Sequence, residues 1–383
     1  MRSPGASFAL GILGMLLNSE LWAQYRIIAE PSLEIVQVHD DNLFLSAKEP
    51  ARDVILRVRP ALEVRFESPR LSAGGTYGFD SERFADHSGL TNSRARQRGS
   101  VSVHYRFDPR LTLALDGGYM DTDTPGELNI LTGLAASRVR VQQLNFGPSA
   151  RYRISPQMSA HASFSSTTEK LAGGPEMNSK FQTVGIEHKV TPRDSFAADY
   201  EQGKYLFDLA GARSRTNTYV LRGGWTHALN PTTRVMLQAG PRVTDHSLAP
   251  ELSASLTHDW QFSSIAILGV QTQTTAIGSI GTVEARSLQA RFTYAPTRSL
   301  TAYAAPAVMR TVFHDLRATV YRIGLGAHYA ITPLAGFDVA YSLDSQHGVF
   351  DALHSNGAIS RSVLSAGFTA RWSAPDRFGT GRR

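Results

Sequence analysis

Arginine returns along this chain with a spacing that matters chemically. Arg57 and Arg59 stand two residues apart, as do Arg151 and Arg153, and single arginines recur at Arg65, Arg106, Arg222, Arg234, Arg242, Arg291, Arg322 and Arg371. Side chains two apart share one face of an extended strand, and apolar residues fill the intervening positions, so the guanidiniums would line one surface of a sheet. Each is a planar, permanently charged fork that grips carboxylates and phosphates at two points. A ring of them around a pore favours anions. Arg65, Arg106, Arg151, Arg153, Arg234, Arg291 and Arg371 lie within a few residues of a short turn and would gather as a basic collar at one mouth. The plainer reading pairs the arginines with carboxylates of the same face, Glu63, Glu67, Asp116, Asp199, Glu201, Asp259 and Asp338, as a network that stiffens the wall. Both readings stand at this point.

Other chemistry is thinly represented. Cysteine is absent, which removes disulfides, thiolate metal sites and cysteine nucleophiles together. His39-Asp40-Asp41-Asn42 gathers oxygen ligands that a hard cation could use, yet Asp and Asn in a row first of all make a turn, because they bond their own backbone; no metal site is assigned. His161-Ala162-Ser163 sets a base and a hydroxyl on one strand face, but Ala160, Ala162 and Phe164 claim the apolar side, so the pair would point away from lipid. His354-Ser355-Asn356-Gly357 falls in a loop. No phosphate-cradling glycine loop or metalloprotease helix stands out, and no catalytic residue or cofactor is expected. The net charge of +6 and pI near 9.6 do not point to nucleic acid, since the basic residues are spread over strands and not massed on one patch.

The elements that must position these arginines are announced by punctuation. Proline-centred turns recur at Ser68-Pro69-Arg70, Asp108-Pro109-Arg110, Ser155-Pro156-Gln157, Thr191-Pro192-Arg193, Asn230-Pro231-Thr232, Ala295-Pro296-Thr297 and Thr332-Pro333-Leu334, with a proline-free analogue at Gln261 to Ser264. On both sides of each turn the sequence alternates apolar and polar, the period of a strand with one greasy face. From Asp53 to Glu67, Val54, Leu56, Val58, Pro60, Leu62, Val64 and Phe66 take one side and Arg57, Arg59, Glu63 and Arg65 the other. Such strands are long enough to cross a bilayer at a tilt. Phe66, Phe107, Tyr152, Tyr294 and Tyr329 sit just before turns, where an interfacial aromatic girdle belongs. One strand up and one down per turn gives about eighteen between Leu33 and Trp372, with long polar loops at the other end, over Asp80–Gln97, Asp121–Ser137, Ser165–Lys180 and Asp344–Ser360. Short turns at one end and long loops at the other describe an all-β, up-and-down antiparallel transmembrane barrel. Mean hydropathy of −0.20 agrees, because a barrel shows lipid only alternate residues.

The ends of the chain fit that compartment. Arg2, the apolar run Ala6 to Leu17 and the small Ala23 before Gln24 have the shape of a secretory signal over 1–23; the run falls short of the roughly 20 residues of a spanning helix. The barrel is expected over 24–372 and a tail over 373–383. Ser365, Gly367, Ala370 and Trp372 resemble the C-terminal strand signal read by the barrel-insertion machinery.

Pro31-Ser32-Leu33-Glu34-Ile35, then His39-Asp40-Asp41-Asn42-Leu43-Phe44, then Asp53 and Val58-Arg59-Pro60 resemble the first hairpin of outer-membrane β-barrel porins often found in exopolysaccharide-secretion gene clusters. That hairpin carries an aromatic-Asp-Asp-Asn-hydrophobic-Phe stretch and a later Val-x-Pro; His39 replaces the aromatic here. The resemblance implies a barrel in the outer membrane of a Gram-negative bacterium and, more distantly, polysaccharide export. The reading is thus a non-enzymatic, porin-like conduit for an acidic polysaccharide or small anions, surrounded by outer-membrane lipids. Its alternative is a closed structural barrel that docks periplasmic secretion components.

Overall fold

The computed structural model describes residues 25–134, 138–209, 211–314, 316–349 and 358–372. Residues 1–23, expected to be a secretory signal, the expected tail over 373–383 and His354 to Gly357 lie outside the described residues. The strands are β1 Arg26–Asp40, β2 Asp53–Glu67, β3 Leu71–Phe84, β4 Asn92–Arg106, β5 Leu111–Thr122, β6 Val141–Arg153, β7 Met158–Leu171, β8 Glu176–Lys189 and β9 Asp194–Leu209. They continue as β10 Ala212–Asn230, β11 Thr233–Thr244, β12 Ser247–Asp259, β13 Ser263–Thr275, β14 Thr282–Tyr294, β15 Leu300–Phe313, β16 Leu316–Thr332, β17 Ala335–Val349 and β18 Ile359–Arg371. Every strand pairs antiparallel with its sequence neighbour, and β1 also pairs with β18 from Ser32–Arg371 to Asp40–Val363, so the 18-stranded sheet closes on itself. Closure removes both edges, the condition for a sheet to sit in lipid with every backbone group satisfied.

The first strand begins earlier than the sequence pattern indicated, at Arg26 and not Leu33. Pro31 is tolerated inside it because the β1–β18 ladder starts only at Ser32, and Pro31 contributes its carbonyl alone, accepting from the Trp372 amide at 2.9 Å. The other strand prolines follow the same logic. Pro60, Pro148 and Pro306 each fall in a local gap of one ladder, where a missing N–H costs no bond, and Pro241 faces Pro250 across β11–β12.

Alternation carries through to the faces. Leu56, Leu62, Leu144, Phe146, Val184, Leu221, Leu288 and Ile323 stay exposed on the outside of the wall, a greasy belt that only a bilayer would cover. Phe107, Tyr152, Trp260, Phe262, Tyr294, Tyr329 and Trp372 ring its turn end, and Phe66 stacks on Tyr25 with ring centroids 5.9 Å apart. This is an outer-membrane type of barrel, with short turns toward the periplasm and loops toward the exterior.

The loop end departs from expectation. Strands run far into the segments read as long loops, so that β7 and β8 are joined by 172–175 alone and β3 and β4 by 85–91. Polar, glycine-rich sequence still pairs as strand where a neighbouring ladder holds it, and tertiary context overrides weak β-propensity. Among the described residues, the connections that remain long are 41–52 and 123–140, the latter described over 123–134 and 138–140. The second of these does not point outward.

Candidate functional site in the lumen

At the loop end the inner wall of β2, β3 and β4 carries a dense ion-pair network. Asp80 lies within 3.7 Å of Arg57 and Arg96, 3.4 Å of Arg59 and 3.0 Å of Arg98. Glu82, almost wholly buried, accepts from Arg57 at 2.6 Å, with Arg138 at 3.8 Å and Arg96 at 4.0 Å. Arg59 also grips both oxygens of Glu34 at 3.1 Å, and Arg96 reaches Glu127 at 2.6 Å. Arg138 stacks over Phe84 at 5.3 Å; burial pulls its guanidinium below the ordinary value, with Glu82 acting in the opposite direction. Hydrogen bonds to Asp121 at 2.6 and 2.8 Å lift nearby Arg140 above its own.

A second network occupies the inner wall of β9 to β12. Arg242, only 2% exposed, donates to Glu251 at 2.7 Å and also to Glu284. Arg222 donates to Glu201 at 2.6 Å, and the Thr272 hydroxyl donates to Glu251 at 2.5 Å. Arg322 pairs with Asp344 on the facing strand, and Arg361 with Asp40. Thus Arg57, Arg59, Arg222, Arg242 and Arg322 serve the paired, wall-stiffening reading. Their partners are largely not the carboxylates read from sequence. Of that set, Glu201 pairs with Arg222 and Glu63 with Arg65, while Asp199 meets His161 and Asp338 meets His328.

Two elements fold into the barrel between these networks. The β12–β13 ladder stops at Leu252–Gln271, although β12 starts at Ser247 and β13 continues to Thr275. The β13–β14 tip therefore leaves the wall. It reaches the inner face of β9, four strands away, where the Tyr205 hydroxyl donates to the Gln273 carbonyl at 3.3 Å and Phe207 and Met177 line one small cavity with Ala276 and Ile277. From the other side, the segment 123–134 enters the lumen and reaches the far wall. Leu134, 2% exposed, packs on Val283, Met309, Ala318 and Val320 of β14 to β16, nearly opposite the strands that bear the loop. The two elements meet where the Ile277 amide donates to Asn129 Oδ1 at 3.0 Å. Gly133 makes the bend beside Leu134 at φ +63°, in contact range of Met309, a backbone angle that favours glycine.

Among the described residues, a cleft of about 250 Å³ lies at this level, bounded by Leu43, Glu127, Leu134, Arg138, Arg322 and Arg361. Loop 123–140 was expected among the long loops at the barrel's end, not inside it. Its signal was present: Leu128, Ile130, Leu131, Leu134 and Val139 make this connection unusually apolar, and of these Leu134 finds a wall to pack on while Ile130 stays exposed.

At the turn end the arginines stand differently. Arg65 pairs with Glu63 at 2.7 Å and Glu30 at 3.5 Å, Arg151 with Glu187 at 3.2 Å, and Arg291 lies over the Tyr303 ring at 4.4 Å. Arg106, Arg153, Arg234 and Arg371 have no carboxylate within 4.0 Å among the described residues. Register brings several into shared inner-face rows. Arg106 and Arg151 both flank Thr112, and Arg234 and Arg291 flank Thr257 and Ala266.

The remaining candidates resolve locally. Asp40, Asp41 and Asn42 form the turn read from sequence and seal the barrel seam. The Asn42 amide donates to Asp40 Oδ1 at 3.1 Å, the Ser362 amide and hydroxyl donate to Asp41 at 2.7 and 2.6 Å, and the Asn42 amide group donates to the Ser46 and Ser360 carbonyls at 2.8 Å. His39 points to the opposite face and touches Gln37 at 3.0 Å. His161 engages Asp199 across Gly185, with the two 3.0 Å apart; any Cβ at Gly185 would collide with both.

Among solved structures, the chain resembles OccAB4 of Acinetobacter baumannii, with a TM-score of 0.51 and 11% identity over 91% of this chain and 99% of that one. It resembles OpdO of Pseudomonas aeruginosa to the same degree, at TM-score 0.51 and 12% identity over 91% and 98%. At such identities the likeness is one of fold. No protein-family model and no curated protein sequence matches the chain.

Proposed function

We propose that this barrel is an outer-membrane, porin-like channel that passes small anionic solutes through a lumen narrowed by loop 123–140 and the inward β13–β14 tip. The observation that carries this reading is the asymmetry of lumen charge. At the loop end the arginines are matched by carboxylates, whereas at the turn end Arg106, Arg153, Arg234 and Arg371 lack such partners. Unmatched guanidiniums on a water-filled wall leave a positive field that draws anions and repels cations. Small solutes are favoured over a polysaccharide chain because two inward elements narrow the lumen at the loop end, meeting where the Ile277 amide bonds Asn129.

Planar-bilayer recording of the refolded barrel under a potassium chloride gradient tests it. The expected reversal potential has the sign of chloride preference, and Arg106→Gln, Arg153→Gln and Arg234→Gln together move it toward zero. A cation-selective wild type sinks the proposal.

A second reading has support in the burial of Asn129, Thr132 and Leu134: a barrel plugged by its own loop that acts as a docking site for periplasmic secretion components. It predicts no conductance in the wild type and capture of such partners by the intact barrel.

A further inference from the structure

The inward fold of the β13–β14 tip has a second effect, on the outside of the wall. A barrel exterior is ordinarily convex, but here it is dented into a groove of about 620 Å³. The floor is apolar and small, built from Leu237, Leu252, Ala254, Gly269, Leu288 and Val308. Leu237, Leu252 and Leu288 are among the exposed apolar residues of the lipid-facing belt.

Two arginines close the groove at its upper end. Arg286 and Arg310 are direct cross-strand partners on β14 and β15, two register positions nearer the loops than Leu288 and Val308, and so share their outward face. Both are exposed. Like charges directly opposed in a ladder destabilise it, and cations at the rim of the hydrocarbon layer call for an anionic partner. No described residue supplies that anion. Neither arginine has a carboxylate within 4.0 Å among the described residues, and Glu284, the nearest acid on that strand, is drawn away to Arg242. Arg317, opposite Val312 on the same outer face, adds a third exposed guanidinium toward the rim.

We propose that this groove is a binding site for one phosphorylated, multiply acylated glycolipid of the outer leaflet, with its phosphate between Arg286 and Arg310 and an acyl chain along Leu237, Leu252 and Leu288. Guanidinium forks match phosphate at two points, and the strand ends at the loop side place them at headgroup height. The small residues Ala254 and Gly269 leave the depth that a hydrocarbon chain fills. The site is independent of what crosses the lumen, since all its residues lie on the opposite face of the wall.

The test is native mass spectrometry of the folded, full-length barrel in detergent, titrated with bisphosphorylated lipid A, with lipid A stripped of its phosphates, and with inorganic phosphate. One lipid A is expected to stay bound. The stripped lipid and the Arg286→Gln, Arg310→Gln double variant should each bind at least about tenfold more weakly, the loss expected when charge-assisted contacts to phosphate are removed. Arg286→Lys with Arg310→Lys should bind at an intermediate level. Ala254→Phe fills the floor without touching the charge and should also weaken binding, which keeps the question decidable if the arginine variants fold poorly. Equal binding of stripped and phosphorylated lipid overturns the proposal, as does displacement of lipid A by inorganic phosphate at matching concentration or an Ala254→Phe barrel that binds as the wild type does.

Discussion

The most committed residues of this molecule are charged. Arg57 and Glu82 are buried together at the centre of a network in which Asp80 alone meets four arginines. Removing one partner of such a pair strands the other charge away from water, which costs about 3–5 kcal/mol where the site is fully desolvated. Arg57→Ala should therefore lower the denaturant midpoint of the detergent-folded barrel, followed by the gel-mobility difference between heated and unheated samples. Arg57→Ala combined with Glu82→Ala should recover part of the loss, because no unpaired charge remains at that point. An Arg57→Ala barrel as resistant as the wild type would mean that lumen water reaches Glu82 freely. Gly185 is constrained in another way: a Gly185→Val side chain would enter the space between His161 and Asp199, and the expected result is a weakened barrel with the turn-end wall most affected.

At the scale of elements, the decisive feature is a loop that turns inward. Polar connections normally run over the surface, because buried backbone demands partners. Loop 123–140 meets that demand inside. Asn129 accepts from the Ile277 amide and donates to the Leu134 carbonyl at 3.0 Å, while Leu134 supplies the apolar anchor on Met309 and Val320. Leu134→Asp places a charge in that contact and should release the loop. Single-channel conductance is then expected to rise several-fold with little change in barrel stability, since the wall ladders are untouched. Unchanged conductance would show that the constriction lies elsewhere. Folding the β13–β14 tip inward serves the same end, and the shortened β12–β13 ladder is its structural cost.

At the scale of the whole molecule, closure makes the structure a membrane protein. An open sheet of this length would present two unpaired edges to lipid, and the β1–β18 ladder removes both. The chain has no cysteine, so a pair introduced at Gln37 and Ala366, which face each other across that seam, offers a clean check. Gln37→Cys with Ala366→Cys should cross-link under mild oxidation. Gln37→Cys with Ala340→Cys, on a strand that does not pair with β1, should not. Absence of the first cross-link would contradict closure. Net charge belongs to this scale too, because closure gathers the inward arginines, Arg57, Arg106, Arg153, Arg222, Arg234 and Arg242 among them, around one enclosed space.

Period-two alternation was enough to reveal strands, their approximate number and the face each presents, because lipid and enclosed water impose opposite polarity on alternate residues. The turns were equally legible, since proline at a tight reversal needs no ladder partner. So was the local Asp40-Asp41-Asn42 turn. The sequence could also place Arg57, Arg222 and Arg242 on the inner wall. It could not say that Glu82, Glu251 and Glu284 would meet them, because tilt and register bring together residues from strands whose relative height depends on every ladder between them. The same holds for Leu134 lying on Met309 and for the dent that exposes Arg286 and Arg310. Alternation along one strand is a local property, whereas contact across a lumen or around a wall exists only once the sheet has closed.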